Sequence, residues 1–91
     1  MCTYQTEHLE IHASAKTTEG WTSMTKAIVY FDHPVHFGAG HALMIDLLNP
    51  SIGPSARAAL EMDPESARAL AEAILKSLDT VPDALLSDLA S

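Results

Sequence analysis

Five Lys and Arg against twelve Asp and Glu in 91 residues leave a formal charge of −7, a sign that repels phosphate backbones and anionic lipid and so argues against nucleic acid and membranes as partners. Hydrophobic residues make up 47% of the chain and charged residues 19%, the profile of a folded domain and not of a disordered segment. The whole chain, 1–91, reads as one domain, and at this length folding buries only about 60–65% of the unfolded surface, so the core is thin and association with a second copy would help.

The longest apolar runs, such as "HALMIDLLNP", are interrupted by Asp46 and fall well short of the roughly 20 residues that a membrane crossing needs. "MCTYQTEHLE" is polar from its third residue onward, unlike a secretory leader, and a single cysteine closes no disulfide within the chain. The expectation is a soluble cytoplasmic protein.

Along the chain, Leu9, Ile11, Ala13 and Ala15 alternate with His8, Glu10, His12 and Ser14, the period-two pattern of a first strand over residues 7–15 with one wet face. "TTEG" is turn material, and Trp21 to Phe31 is rich in β-branched and aromatic residues that suit a second strand. Pro34, Gly38 and Gly40 break "DHPVHFGAGH" into a histidine-rich loop. A third strand is predicted over 41–50, and a short fourth over Ala56–Met62 after "NPSIGPS". Asp63 then caps an amphipathic helix with Pro64 in its first turn, Glu65 complementing the dipole, and Leu70, Ala71, Ile74 and Leu78 at helical spacing. After Val81-Pro82 a last turn carrying Leu85, Leu86 and Leu89 is expected to pack back on the domain edge. This order predicts an α+β fold, an antiparallel sheet of about four strands with one C-terminal amphipathic helix packed on one face.

Registers follow from requiring apolar faces to coincide across each hairpin. Partners summing to about 38 in the first hairpin, and to about 74 in the second, gather Leu9, Ile11, Ala27, Val29, Phe31, Leu43, Ile45 and Leu47 on the face that meets the helix. The same registers set His33 opposite His41, with His36 in the connecting loop and Cys2 beside His36. Opposed strand residues have Cβ atoms about 4.5–5.5 Å apart, which is compatible with a shared metal. Cys2, His33, His36 and His41 are therefore candidate ligands. Thiolate with imidazole suits Zn²⁺ first, or a copper ion, rather than Ca²⁺ or Mg²⁺; Asp32 would orient an imidazole from behind. The competing reading is that these histidines solvate a loop and cap strand ends, while Cys2 packs as a small apolar thiol. The spacing H-x2-H-x4-H matches no compact zinc signature.

The opposite face carries His8, Glu10 and His12 together with Met24, Ile28, Tyr30, Met44 and Leu48, too apolar a group to leave in water. A homodimer, sheet against sheet, would cover it. Between such sheets a small-molecule pocket could use His8, His12, Tyr30, Met44 and Asp46. No G-x-S-x-G, Walker lysine or CxxC occurs.

Over "MCTYQTEH", "VYFDHPVH", "IDLLNP" and "ESARALAEAI", and so over nearly the whole chain, the sequence resembles a family of small bacterial proteins grouped as a domain of unknown function. That resemblance implies no activity, cofactor or catalytic residue. The functional expectation is a small soluble metal-binding protein, or a metal-dependent enzyme acting on a small organic molecule. Two alternatives stand beside it: a non-catalytic module that binds a ligand or partner on its open apolar sheet face, and a metal-free enzyme using His8 or His12 with Asp46 as acid and base.

Overall fold

The computed structural model describes residues 4–87. Its elements run β1 (Glu7–Thr17), β2 (Gly20–Asp32), β3 (Ala42–Leu48), β4 (Arg57–Met62), α1 (Pro64–Asp79) and α2 (Asp83–Leu86). The strands form one antiparallel sheet in the order β1-β2-β3-β4, each paired with its neighbour in sequence. The α+β architecture is thus as expected.

The second hairpin has the register that the apolar pattern demands, with Val29 opposite Ile45 and Phe31 opposite Leu43. The first differs. Glu7 faces Val29 and Leu9 faces Ala27, but the register shifts between Glu10 and Ala13, so that Ala13 faces Met24 and Ala15 faces Thr22. Two residues of β1, Ile11 and His12, stand against Thr25 alone: a bulge. Because side chains alternate strictly, one extra residue exchanges the faces of everything beyond it. Leu9 therefore keeps company with Ala27 and Val29, whereas Ala13 and Ala15 join the face of Met24, and the single apolar stripe expected along β1 is split between two faces.

The β1–β2 turn closes at Gly20, whose φ of 102° requires glycine. Here the Thr17 hydroxyl donates to the Gly20 carbonyl at 3.1 Å and accepts the Glu19 amide at 3.1 Å. Gly20 to Met24 pair with β1 only, since β3 begins its pairing at Lys26. The distal end of this hairpin is therefore a two-stranded arm. Asn49 ties the base of the arm to the β3–β4 turn by donating its side-chain amide to the Ser23 carbonyl at 3.0 Å.

The helix starts as its sequence dictates. Asp63 is the N-cap, its carboxylate accepting the Ser66 amide at 2.7 Å, with Pro64 in the first turn and Lys76 in the last. Yet no residue of α1 is buried. It stands over β3, where Ala67, Leu70, Ala71 and Ile74 face Leu43 and Ile45, with Val29 of β2 and Met62 of β4 to either side, across an apolar cleft of about 350 Å³. Leu85 and Leu86 of α2 are exposed, so that turn does not pack back as expected; Leu89 lies outside the described residues. Among the described residues the buried apolar side chains are Met24, Ala27, Ala42, Met44 and Ala56. Met24 and Met44 belong by register to the face away from the helix, so the larger core side chains sit on the side expected to stay open.

Candidate functional site

A cleft of about 470 Å³ on that open face is lined by Tyr30, Met44, Asp46, Arg57, Ala59, Leu60 and Glu61 from the sheet and by Val35, His36 and Phe37 from the β2–β3 loop. The loop is held over the sheet by one carboxylate. Glu61 accepts the backbone amides of Val35 at 2.6 Å, His36 at 3.0 Å and Phe37 at 2.7 Å. Three successive N–H groups converging on one point make a concave anion cradle, and Glu61 fills it. These bonds, with Phe37 contributing most and Val35 next, hold the Glu61 carboxyl below the usual carboxylate range. Because Glu61 faces Met44 across the β3–β4 ladder, the latch places the loop beside Met44, which is only 7% exposed.

The polar floor of the cleft is built from diagonal neighbours. Asp46 lies opposite Ile28 and Ala59, so Tyr30 and Arg57 each sit one step along the adjoining strands, on the same face, and long side chains reach across such diagonals. The Tyr30 hydroxyl donates to Asp46 Oδ2 at 3.1 Å, and the Arg57 guanidinium donates to Oδ1 at 3.0 Å. Burial, reinforced by the hydrogen bond to Asp46 and by its charge, raises the Tyr30 phenol above its ordinary value. Tyr30 thus keeps its proton and acts as a fixed donor, while Asp46 has both oxygens engaged.

Of the expected pocket residues, Tyr30, Met44 and Asp46 line this cleft; His8 and His12 are not among its lining residues. His8 pairs with Ile28, and Ile28 with Asp46, which separates His8 from Asp46 by two strand spacings, about 10 Å. His12 falls in the bulge, out of step with His8.

The expected metal ligands are distributed differently. His33 and His41 do meet, with ring centroids 4.5 Å apart, and His41 stacks on Phe31 at 5.6 Å with Tyr4 edge-on to Phe31 at 5.5 Å. Asp32 holds His33 as anticipated: its Oδ1 accepts the His33 amide at 2.7 Å and lies 3.1 Å from His33 Nδ1. The amide first, then the ring contact, lowers the Asp32 pKa. By strand parity this aromatic group is on the face of Phe31 and Leu43, the helix side, whereas His36 lines the cleft on the other side. Cys2 lies outside the described residues. Among the described residues no three His, Cys, Asp or Glu side chains group closely enough to hold a metal ion. The structure thus brings His33 and His41 together and sets His36 apart from them.

Sequence reasoning passed over Arg57, Glu61 and Phe37. The signal for the first two was present, since "RAALEM" alternates Arg57, Ala59 and Glu61 with Ala58, Leu60 and Met62, and the second set matches the apolar face of β3. The fold and site define a small α+β protein with a loop-roofed cleft on its sheet. The chain belongs to a family of unknown function (DUF6295), whose model it matches over residues 1–87. Comparison with curated proteins and with solved structures finds no match.

Proposed function

We propose that the protein is a ligand-binding module that holds a small organic molecule, apolar along its body and polar at one end, between the open sheet face and the 33–41 loop. The observation carrying this reading is the convergence of Tyr30 and Arg57 on the two oxygens of Asp46, at the floor of a cleft whose other walls are Met44, Ala59, Val35 and Phe37. A few placed polar groups in a mostly apolar concavity of about 300–1,000 Å³ is the usual form of a small-molecule site. Loading with 8-anilinonaphthalene-1-sulfonate, followed by amide and methyl NMR shifts, tests it. Saturable shifts at Val35 to Phe37 and Met44, lost in Met44→Asp, are expected; shifts confined to α1 and Ile45 would remove the proposal.

A second reading, zinc or copper binding, is favoured by the paired rings of His33 and His41 and by the carboxylate behind His33. Elemental analysis of untagged protein separates the two. Metal content should fall in His33→Ala and persist in His36→Ala, because His36 faces the other side of the sheet.

A further inference from the structure

A helix with its side chains is about 10 Å across, and strands lie about 4.8 Å apart, so one helix roofs about two strands. The sheet has four, and α1 packs against β3, with Val29 of β2 and Met62 of β4 at the margins of their shared cleft. Toward β1 that face is left uncovered: Leu9 is 50% exposed. On α1 itself, Leu75 and Leu78 are 62% and 49% exposed. The chain exposes 7163 Å², whereas a compact monomer of 9.8 kDa exposes about 5,200 Å². That excess, roughly 2,000 Å² over the whole chain including the two-stranded arm, leaves room for the roughly 800 Å² that each partner gives to a stable interface.

We propose that a second copy of the chain covers this face, its α1 lying over β1 and β2 beside the first chain's α1, so that two helices roof each four-stranded sheet. A second copy is the fitting occupant because one chain carries both halves of the contact, the uncovered helix stripe and the uncovered β1 side of the sheet, which is what a self-complementary two-fold interface requires. The site is on the face opposite the cleft, and it does not depend on what the cleft binds. It is also opposite to the face that alternation alone marked for dimerisation: Met24 and Met44, which made that face too apolar, are already buried within one chain.

Analytical ultracentrifugation of the full chain should give twice 9.8 kDa. Leu75→Glu should return the single-chain mass with an unchanged far-UV circular dichroism spectrum, and Phe37→Asp, on the cleft loop, should leave the doubled mass intact. Leu9→Lys carries the same test from the sheet half of the contact, independent of helix stability. A single-chain mass for the unsubstituted protein overturns the proposal, as does a doubled mass that survives both Leu75→Glu and Leu9→Lys.

Discussion

The two faces of the sheet are built on opposite terms. The face away from the helix is closed by loops, carries the polar ties of Asp46 and Glu61, and buries Met24 at 0% and Met44 at 7% exposure. The face under the helix has the richer apolar inventory and the poorer cover, with Leu60 still 48% exposed. Apolar content therefore does not identify the core; backbone that can fold over a face does. A carboxylate that collects three amides holds a nine-residue loop in place, whereas an amphipathic helix of ideal pattern with no buried residue adds little cover.

The sharpest way to break this contrast is to cut into each side. Met24→Ala should cost about 2–5 kcal/mol in urea unfolding, the usual loss for a fully buried large apolar side chain. Leu9→Ala should cost under about 1 kcal/mol where the chain is single, since half of the side chain is already in water. Equal costs would mean that the helix side is as well covered as the other.

Next in size is the latch. Glu61→Ala should raise hydrogen exchange at the Val35, His36 and Phe37 amides to that of an open loop while leaving α1 unchanged. The sign of its pH dependence follows from a lowered folded-state pKa. The latch is fully formed above the ordinary glutamate value of about 4.3 and is lost as pH falls through the depressed one. An NMR titration of the three amides should show this acid step, and Glu61→Gln should abolish it. A smaller effect is expected at the cleft floor, where Tyr30→Phe removes one hydrogen bond and should weaken probe binding by about 1 kcal/mol, or roughly fivefold. Smallest is His33→Ala, at a side chain 65% exposed, which should change stability by less than about 0.5 kcal/mol.

Strand order, the second hairpin's register and the Asp63 cap were legible because each follows from neighbours in sequence: alternation on both sides of a proline-broken loop, and a Ser66 amide three residues from its cap. The bulge was not. Ile11 and His12 continue the alternation of β1 without a break, and nothing local says that Thr25 will be opposed by both. The His33–His41 pairing was legible as strand parity, but the side taken by His36 was not, since Glu61 fixes it from 25 residues away. The Tyr30–Asp46 half of the cleft floor was within reach of pattern reasoning. Its Arg57 half needed the β4 register, which one more step of the same matching supplies.

The two-stranded arm bears on how this protein's unfolding is observed. Trp21, the chain's one tryptophan, sits near the tip of that arm and is 70% exposed, and an isolated hairpin is at best marginally stable in water. Its emission will therefore follow fraying of the arm, and a fluorescence-monitored melt should precede the transition seen by circular dichroism. A mismatch between those two curves would be a property of where the reporter sits, not a sign of a folding intermediate.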